Sequence, residues 1–277
     1  MNNKKSNEKG NVILTAVLLI LISVCIICVV VAYRKSNQEV INGGGIISGE
    51  MSGENISENN NIKHEPIRLE AYKKALSKML ADKKLIDDEA LFEEDDIFRI
   101  EDNMFAICDV DLDGKEELVV SIGSAPTAGM VSVIYDYNET SGDVEKEFSS
   151  YVATTFYDNG ILKVSASHNQ GLAGDKLWPY SLYKYDKETN TYTLIAYVDA
   201  WDESLADTNY EGAKYPKDVD TNGDGIVYYV MTDGVYELKN PITKADYEKW
   251  VNQYLETANE IDIPYVNLTQ ENIDNLK

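Results

Sequence analysis

Asp109–Leu118, DVDLDGKEEL, places three carboxylates at alternate positions, follows them with a glycine, and returns a further acid from the ninth position of the run. Alternation lets Asp109, Asp111 and Asp113 curl around one point, and Gly114 permits the sharp bend. Glu117 comes back toward the same point, and position seven, Lys115, offers its backbone carbonyl. These are hard oxygen ligands, about six in number, which suits a calcium ion far better than zinc or copper. Without a cation, neighbouring carboxylates a few ångströms apart repel by about 1–4 kcal/mol at near-surface dielectric. The flanks decide the fold class: Phe105–Cys108 (FAIC) and Leu118–Ile122 (LVVSI) read as strands, not helices. The bland alternative is a hairpin turned at Asp113-Gly114 with its other acids merely solvated.

Strand character continues outward from this loop. Candidate strands are 103–109, 116–122, 130–138, 151–157, 161–168, 180–186, 191–198, 226–232 and 235–239. Turn signals separate them at Ser141-Gly142-Asp143, Asp158-Asn159-Gly160, Asp186–Asn190 and Asp233-Gly234. Upstream, Leu69, Tyr72, Leu76, Met79 and Leu80 recur at helical spacing, with Pro66 suited to the first turn. Downstream, Thr243 is an N-cap candidate for a helix over 243–257 whose stripe is Tyr247, Trp250, Val251 and Tyr254, and a short second helix starts at Thr269. The expected fold is α+β: a mostly antiparallel β meander with an N-terminal helix and one or two C-terminal helices, preceded by a single transmembrane helix.

That membrane helix is expected at 12–33. Residues 12–32, VILTAVLLILISVCIICVVVA, are 21 residues without a charge, between Lys4, Lys5 and Lys9 on one side and Arg34 and Lys35 on the other. At about 1.5 Å per residue they just span a hydrocarbon core of about 30 Å. A cleaved signal peptide is the alternative, because Val30-Val31-Ala32 suits a peptidase, although the apolar run exceeds the usual length. Residues 1–11 then form a short cytoplasmic tail. Residues 34–65, rich in Gly, Ser, Asn and Glu without a period, form a flexible linker, and 66–277 form the extracellular domain.

Charge and cysteine usage set further bounds. The chain has 25 Lys+Arg against 48 Asp+Glu, and the six basic and six acidic residues before Pro66 cancel, so the whole net charge of −23 lies on 66–277. Such a surface repels phosphate backbones and excludes DNA and RNA as partners. The run DDEALFEEDD at 87–96 reads as a solvated acidic face. Only Cys108 of the three cysteines belongs to the domain, so it contains no internal disulfide.

Two further places hold candidate ligands. Asp218–Gly225, DVDTNGDG, supplies Asp220, Asn222 and Asp224 at positions 1, 3 and 5 in one register, or Asp218, Asp220 and Asn222 in another. Neither register has an acid at position 9 or 12, so this is the weaker second metal site, or a plain turn. The long loop 168–179, HNQGLAGDKLWP, together with the end of the strand after next, brings His168, Asp175, Trp178, Asp199 and Trp201 forward as a ligand-binding set suited to a sugar or peptide. No nucleophile elbow, zinc-protease, P-loop or dinucleotide fingerprint occurs. With two histidines in all, His-based catalysis has little material.

With its strand flanks, DVDLDGKEEL departs from an EF-hand, which would carry Glu where Val120 stands, and resembles the D-x-D-x-D-G-x-x-[DE]-L loops of FG-GAP and VCBS repeats. That resemblance implies Asp109, Asp111, Asp113 and Glu117 as side-chain ligands of calcium with the Lys115 carbonyl. It covers this one loop, and no blade repeat of the kind a propeller needs is present. Taken whole, the chain resembles membrane-anchored surface proteins of low-GC Gram-positive bacteria. The resemblance implies a location at the cell surface and the loop type. The expectation is therefore a single-pass protein held at the plasma membrane through 12–32, with a structural calcium site outside the cell and a cell-wall, glycan or protein partner. The sequence leans against an enzyme. The alternatives are a cell-envelope hydrolase or hydrolase inhibitor worked from His168, Asp175 and Asp199, and a structural or sensory part of a membrane complex.

Overall fold

A computed structural model describes residues 61–87, 100–125, 127–168 and 170–277. The expected membrane segment 12–33, the linker as far as residue 60 and nearly all of the acidic run 87–96 lie outside the described residues. Among the described residues no helix is long and apolar enough to cross a membrane.

The chain runs α1 (Asn61–Asp82), β1 (Met104–Cys108), β2 (Glu117–Ile122), β3 (Val131–Tyr137), β4 (Val144–Ser150), β5 (Thr154–Phe156), β6 (Ile161–Ser165), β7 (Tyr180–Asp186), β8 (Thr191–Asp202), β9 (Ile226–Met231), α2 (Lys244–Leu255), β10 (Val266–Asn267) and α3 (Gln270–Asp274). The fold is α+β with two five-stranded antiparallel sheets, ordered β10-β1-β2-β3-β4 and β5-β6-β7-β8-β9. The expected single meander is thus broken into two. The break falls at 151–153, where the Thr154 hydroxyl donates to the Tyr151 carbonyl at 2.7 Å and the Thr154 N–H to Val152 at 2.9 Å, carrying the strand across to the other sheet.

Side-chain alternation builds the layers. Every residue of β2 is buried, as a central strand covered on both faces demands. Leu118 and Val120 join Phe105, Ile122, Val133 and Tyr135 beneath Tyr72, Leu76 and Met79 of α1, with Leu268 and Ile273 closing the same core. Val119 and Ile134 point the other way, where they meet Phe156 and Leu162 of the second sheet, with Phe148, Tyr183 and Tyr192 packed around them. The far face of the second sheet, Ile161, Tyr180, Leu182 and Val198, is covered by Tyr247, Trp250 and Tyr254 of α2. Tyr228 and Tyr247 stack at 4.5 Å with their planes 6° apart.

Several expectations shift in detail. Helix α1 begins at Asn61, so residues 61–65 belong to it and not to the linker, and Pro66 sits in its second turn. Pro66 has no N–H to offer the Ile62 carbonyl, so the helix forgoes that one bond in its second turn. Val235–Lys239 joins no sheet. The Lys239 N–H turns back onto Glu237 at 2.8 Å, and the segment instead covers a core of Trp201, Tyr215, Val227, Tyr229 and Met231 through Leu238. Strands β4 and β10 were not anticipated. Both C-terminal helices start as expected, capped by Thr243 and Thr269, whose hydroxyls accept from Asp246 N–H at 3.1 Å and Asn272 N–H at 3.2 Å.

Leu76 has no exposed surface between α1 and the first sheet. Leu76→Ala is expected to lower the unfolding free energy by about 3 kcal/mol in a denaturant titration, whereas a loss below about 1 kcal/mol would mean that α1 is not seated on the sheet.

Candidate metal centre

The β1–β2 hairpin closes with Cys108 paired to Glu117, so the connection Asp109–Glu116 is the hairpin loop and Glu117 opens the return strand. A ring of side-chain to backbone bonds shapes it. Asp109 Oδ2 accepts from Gly114 N–H at 3.1 Å, Asp111 Oδ1 from Asp113 N–H at 2.8 Å, and Asp113 Oδ1 from Lys115 N–H at 2.8 Å. Glu117 Oε2 accepts from Val110 N–H at 3.0 Å, and Val110 itself is wholly buried between the sheets, pinning the loop at its start. Two residues take left-handed backbone, Leu112 at φ 65° and Gly114 at φ 94°. The glycine allows the second at little cost; Leu112 carries strain there and leaves its side chain about half exposed.

These bonds bring Asp109, Asp111 and Glu117 together, with one oxygen of each within 4.8 Å of the others, an arrangement that can hold a metal ion. Asp111 is 5% exposed and Glu117 1%. At those separations each ionised pair repels by at least about 3 kcal/mol at an effective dielectric near 20. Burial, reinforced by the charge of Asp111, pushes the Glu117 carboxyl up to about 9, and burial pushes Asp111 up to about 6. Asp109 Oδ1 is sealed from solvent and has no hydrogen-bond partner. Three oxygen donors, one of them orphaned and none of them nitrogen or sulfur, fit a hard divalent cation. Asp113 stays outside the trio; its backbone carbonyl accepts from Lys187 Nζ at 3.0 Å. Lys115 directs its ammonium away to Glu139 at 3.3 Å.

Two tyrosines of the second sheet border the centre. The Tyr185 hydroxyl donates to Asn190 Oδ1 at 2.5 Å and stands near the Asp111 carboxyl. The Tyr192 ring lies 5.3 Å from that of Tyr185, and its buried hydroxyl has no partner. Beside them stands Glu147 of β4, a residue the sequence did not single out. Burial pushes its carboxyl up to about 8, with Asp111 the largest of the charges acting on it.

The second acidic loop adopts the register that starts at Asp220. Asp220 Oδ2 accepts from Gly225 N–H at 2.9 Å and Asp224 Oδ1 from Ile226 N–H at 3.0 Å, matching the bonds of Asp109 to Gly114 and of Asp113 to Lys115. The left-handed positions match too, Gly223 at φ 69° and Gly225 at φ 78°. The two loops are therefore conformational counterparts. They differ at the ninth position, where Tyr228 replaces the acid, and at Asp224, whose Oδ2 has Lys244 Nζ at 3.7 Å and Asn222 Nδ2 at 2.8 Å. Asp218 lies exposed outside this ring.

The ligand-binding set falls into two kinds of place. His168, Asp175 and Trp178 are exposed, with the His168 ring 2.6 Å from the Ser167 hydroxyl and the Trp178 indole donating to the Ala166 carbonyl at 2.7 Å. Asp199 and Trp201 are interior, at 0% and 1% exposure. The Asp199 carboxylate accepts from Ala200 N–H at 2.7 Å and from the Tyr236 hydroxyl, and a Cβ on Gly171 would strike it. Its role is to clamp the 168–178 loop and the 235–239 segment onto β8. Trp201 packs edge-on against Tyr215 with ring centroids 5.4 Å apart and donates to the Ala206 carbonyl. No family model, curated protein or solved structure matches the chain.

The raised carboxyls give a signed pH dependence. Glu117 and Asp111 hold protons in the folded chain at pH values where the unfolded chain has lost them, so folding stability without metal is fullest below about pH 4 and falls as pH rises toward 9. Thermal melts in chelator at pH 5, 7 and 9 are expected to give successively lower midpoints, and saturating calcium to flatten the series. A chelator series that rises with pH would contradict this reading.

Proposed function

We propose that this chain is a calcium-braced domain, anchored in the plasma membrane through residues 12–33 and displayed outside the cell, where it binds an envelope or extracellular partner without catalysing a reaction. The observation that carries the calcium assignment is the convergence of Asp109, Asp111 and Glu117 oxygens within 4.8 Å, with Asp111 and Glu117 buried. Asp109, Asp111 and Glu117 would hold the ion, and the Lys115 carbonyl lies at the position that completes such a loop. The ion supplies charge neutralisation. It binds the deprotonated carboxylates, so its affinity rises with pH. The trio lies on the β1–β2 hairpin loop close to Tyr185 and Tyr192 of the second sheet, so a bound ion would serve packing.

Support for a binding role over a hydrolytic one comes from Asp199. A hydrolase or hydrolase inhibitor worked from His168, Asp175 and Asp199 needs that carboxylate at a surface, and it is fully buried with both oxygens hydrogen-bonded. The placement outside the cell rests on the charge-free run 12–32 and on the calcium-suited, strongly acidic domain that follows it. Extracellular calcium is abundant enough to fill a site of moderate affinity.

A hundredfold excess of calcium over its dissociation constant adds about 2.7 kcal/mol of stability, or roughly 5–10 °C in midpoint for a domain of this size. The purified chain is expected to melt higher by that margin in millimolar calcium than in chelator, and Asp111→Ala to remove most of the difference. Superimposable melting curves for the unsubstituted chain would sink the assignment.

A further inference from the structure

Strand β4 pairs with β3 out of step: Ile134 lies opposite Phe148 and Tyr135 opposite Lys146, which leaves Glu147 as the extra residue of a bulge. A bulge frees its extra residue from the ladder and re-aims its side chain. Glu145, two residues earlier, stays exposed and accepts from Asn138 Nδ2 at 3.1 Å, the ordinary behaviour of an acid on an edge strand. Glu147 does the opposite. Both of its carboxylate oxygens are sealed from solvent, and neither has a hydrogen-bond partner. Buried polar atoms are almost always paired, and a buried carboxylate with no donor at either oxygen is the kind of exception that marks a missing ligand.

Glu147 stands within the electrostatic reach of the metal centre. The next residue, Phe148, packs against Tyr192 with ring centroids 5.1 Å apart, and Tyr192 in turn adjoins Tyr185, the tyrosine that stands near Asp111. Asp111 is the strongest charge acting on Glu147, Glu147 follows Asp111 among those acting on Glu117, and Glu147 heads those acting on Tyr192. Orphaned oxygens thus come from three elements: Asp109 Oδ1 from the hairpin loop, both Glu147 oxygens from β4, and the Tyr192 hydroxyl from β8.

We propose that Glu147 is the fourth carboxylate of the calcium site, supplied by the β4 bulge. This rests on the calcium reading of the Asp109–Glu117 loop. Neither Glu147 oxygen has a partner in the protein, and a bound cation would supply one shared with the other three carboxylates. The ion then ties the β1–β2 hairpin to the strand whose Phe148 meets Tyr183 and Tyr192 of the second sheet at 4.9 and 5.1 Å, so calcium binding tightens the junction between the sheets and not the loop alone.

The test is isothermal titration of calcium into the metal-stripped full chain and into Glu147→Gln and Glu145→Gln. Gln keeps the shape of Glu147 and breaks no hydrogen bond, so this variant is expected to fold, with a melting midpoint in chelator no lower than that of the unsubstituted chain. Expected results are at least a tenfold weaker affinity for Glu147→Gln, an affinity within twofold of the parent for Glu145→Gln, and calcium-dependent hydrogen-exchange protection across 144–150. Equal affinity for the parent and Glu147→Gln overturns the proposal while leaving the calcium loop standing. No calcium uptake by the unsubstituted chain overturns the calcium reading itself, and this inference with it.

Discussion

Carboxylates held within 4.8 Å of one another, two of them buried, cannot all remain ionised without a cation, and the rest of the structure is arranged around that constraint. The loop is not a flexible appendage free to relax by spreading its charges. Val110 is buried between the sheets, Cys108 and Glu117 are locked in register, and Glu117 holds the Val110 N–H, so the oxygens stay together whether or not an ion is present. Only two escapes remain, protonation or a bound metal. The elevated carboxyls of Asp111, Glu117 and Glu147 are the first escape; the orphaned oxygens beside them suit the second.

The fold turns this local conflict into a brace. Between α1 on one side and α2 on the other, the two sheets meet through Val119, Ile134 and Phe148 against Phe156, Leu162, Tyr183 and Tyr192. The acidic cluster sits beside that apolar seam. Carboxylates left charged and unpaired there weaken the seam, and carboxylates gathered on an ion reinforce it. On the other side of β2 the chain uses a protein cation for the same purpose: Arg68, 6% exposed, pairs with Asp136 and stands 3.3 Å from the Glu116 carbonyl, to which the Tyr72 hydroxyl also donates at 2.9 Å. An internal guanidinium serves where a helix can deliver one. At the sheet junction the donors are acids and tyrosines.

Much of this was legible in the sequence where a local rule governs. Alternation found eight of the ten strands, the turn glycines fell where left-handed backbone was needed, and Thr243 and Thr269 capped the helices assigned to them. The D-x-D-x-D-G-x-x-E spacing led to an expectation of four converging carboxylates, of which Asp109, Asp111 and Glu117 come together and Asp113 does not. What escaped depends on tertiary context. Strand β4, VEKEFSS, carries too much charge to read as a strand and exists because β3 offers it an edge. Glu147 looks like any surface glutamate until the bulge turns it inward, and no spacing in the chain announces that. By sequence alone Asp199 and Trp201 fall just past the end of a strand at Val198. The strand continues to Asp202 and carries both into the interior, where a buried carboxylate serves as a clamp.

The proximity of tyrosines to the acidic centre offers the most direct measurement of the central claim. Terbium substitutes for calcium at oxygen sites and emits when a nearby tyrosine is excited, and Tyr185, close to Asp111, with Tyr192 beside it, provides the sensitiser. Titration of terbium into the metal-stripped chain, with excitation of tyrosine, is predicted to give saturable emission that calcium displaces and that Asp111→Ala abolishes. Absence of sensitised emission, or emission indifferent to Asp111→Ala, would contradict a cation site built on this loop.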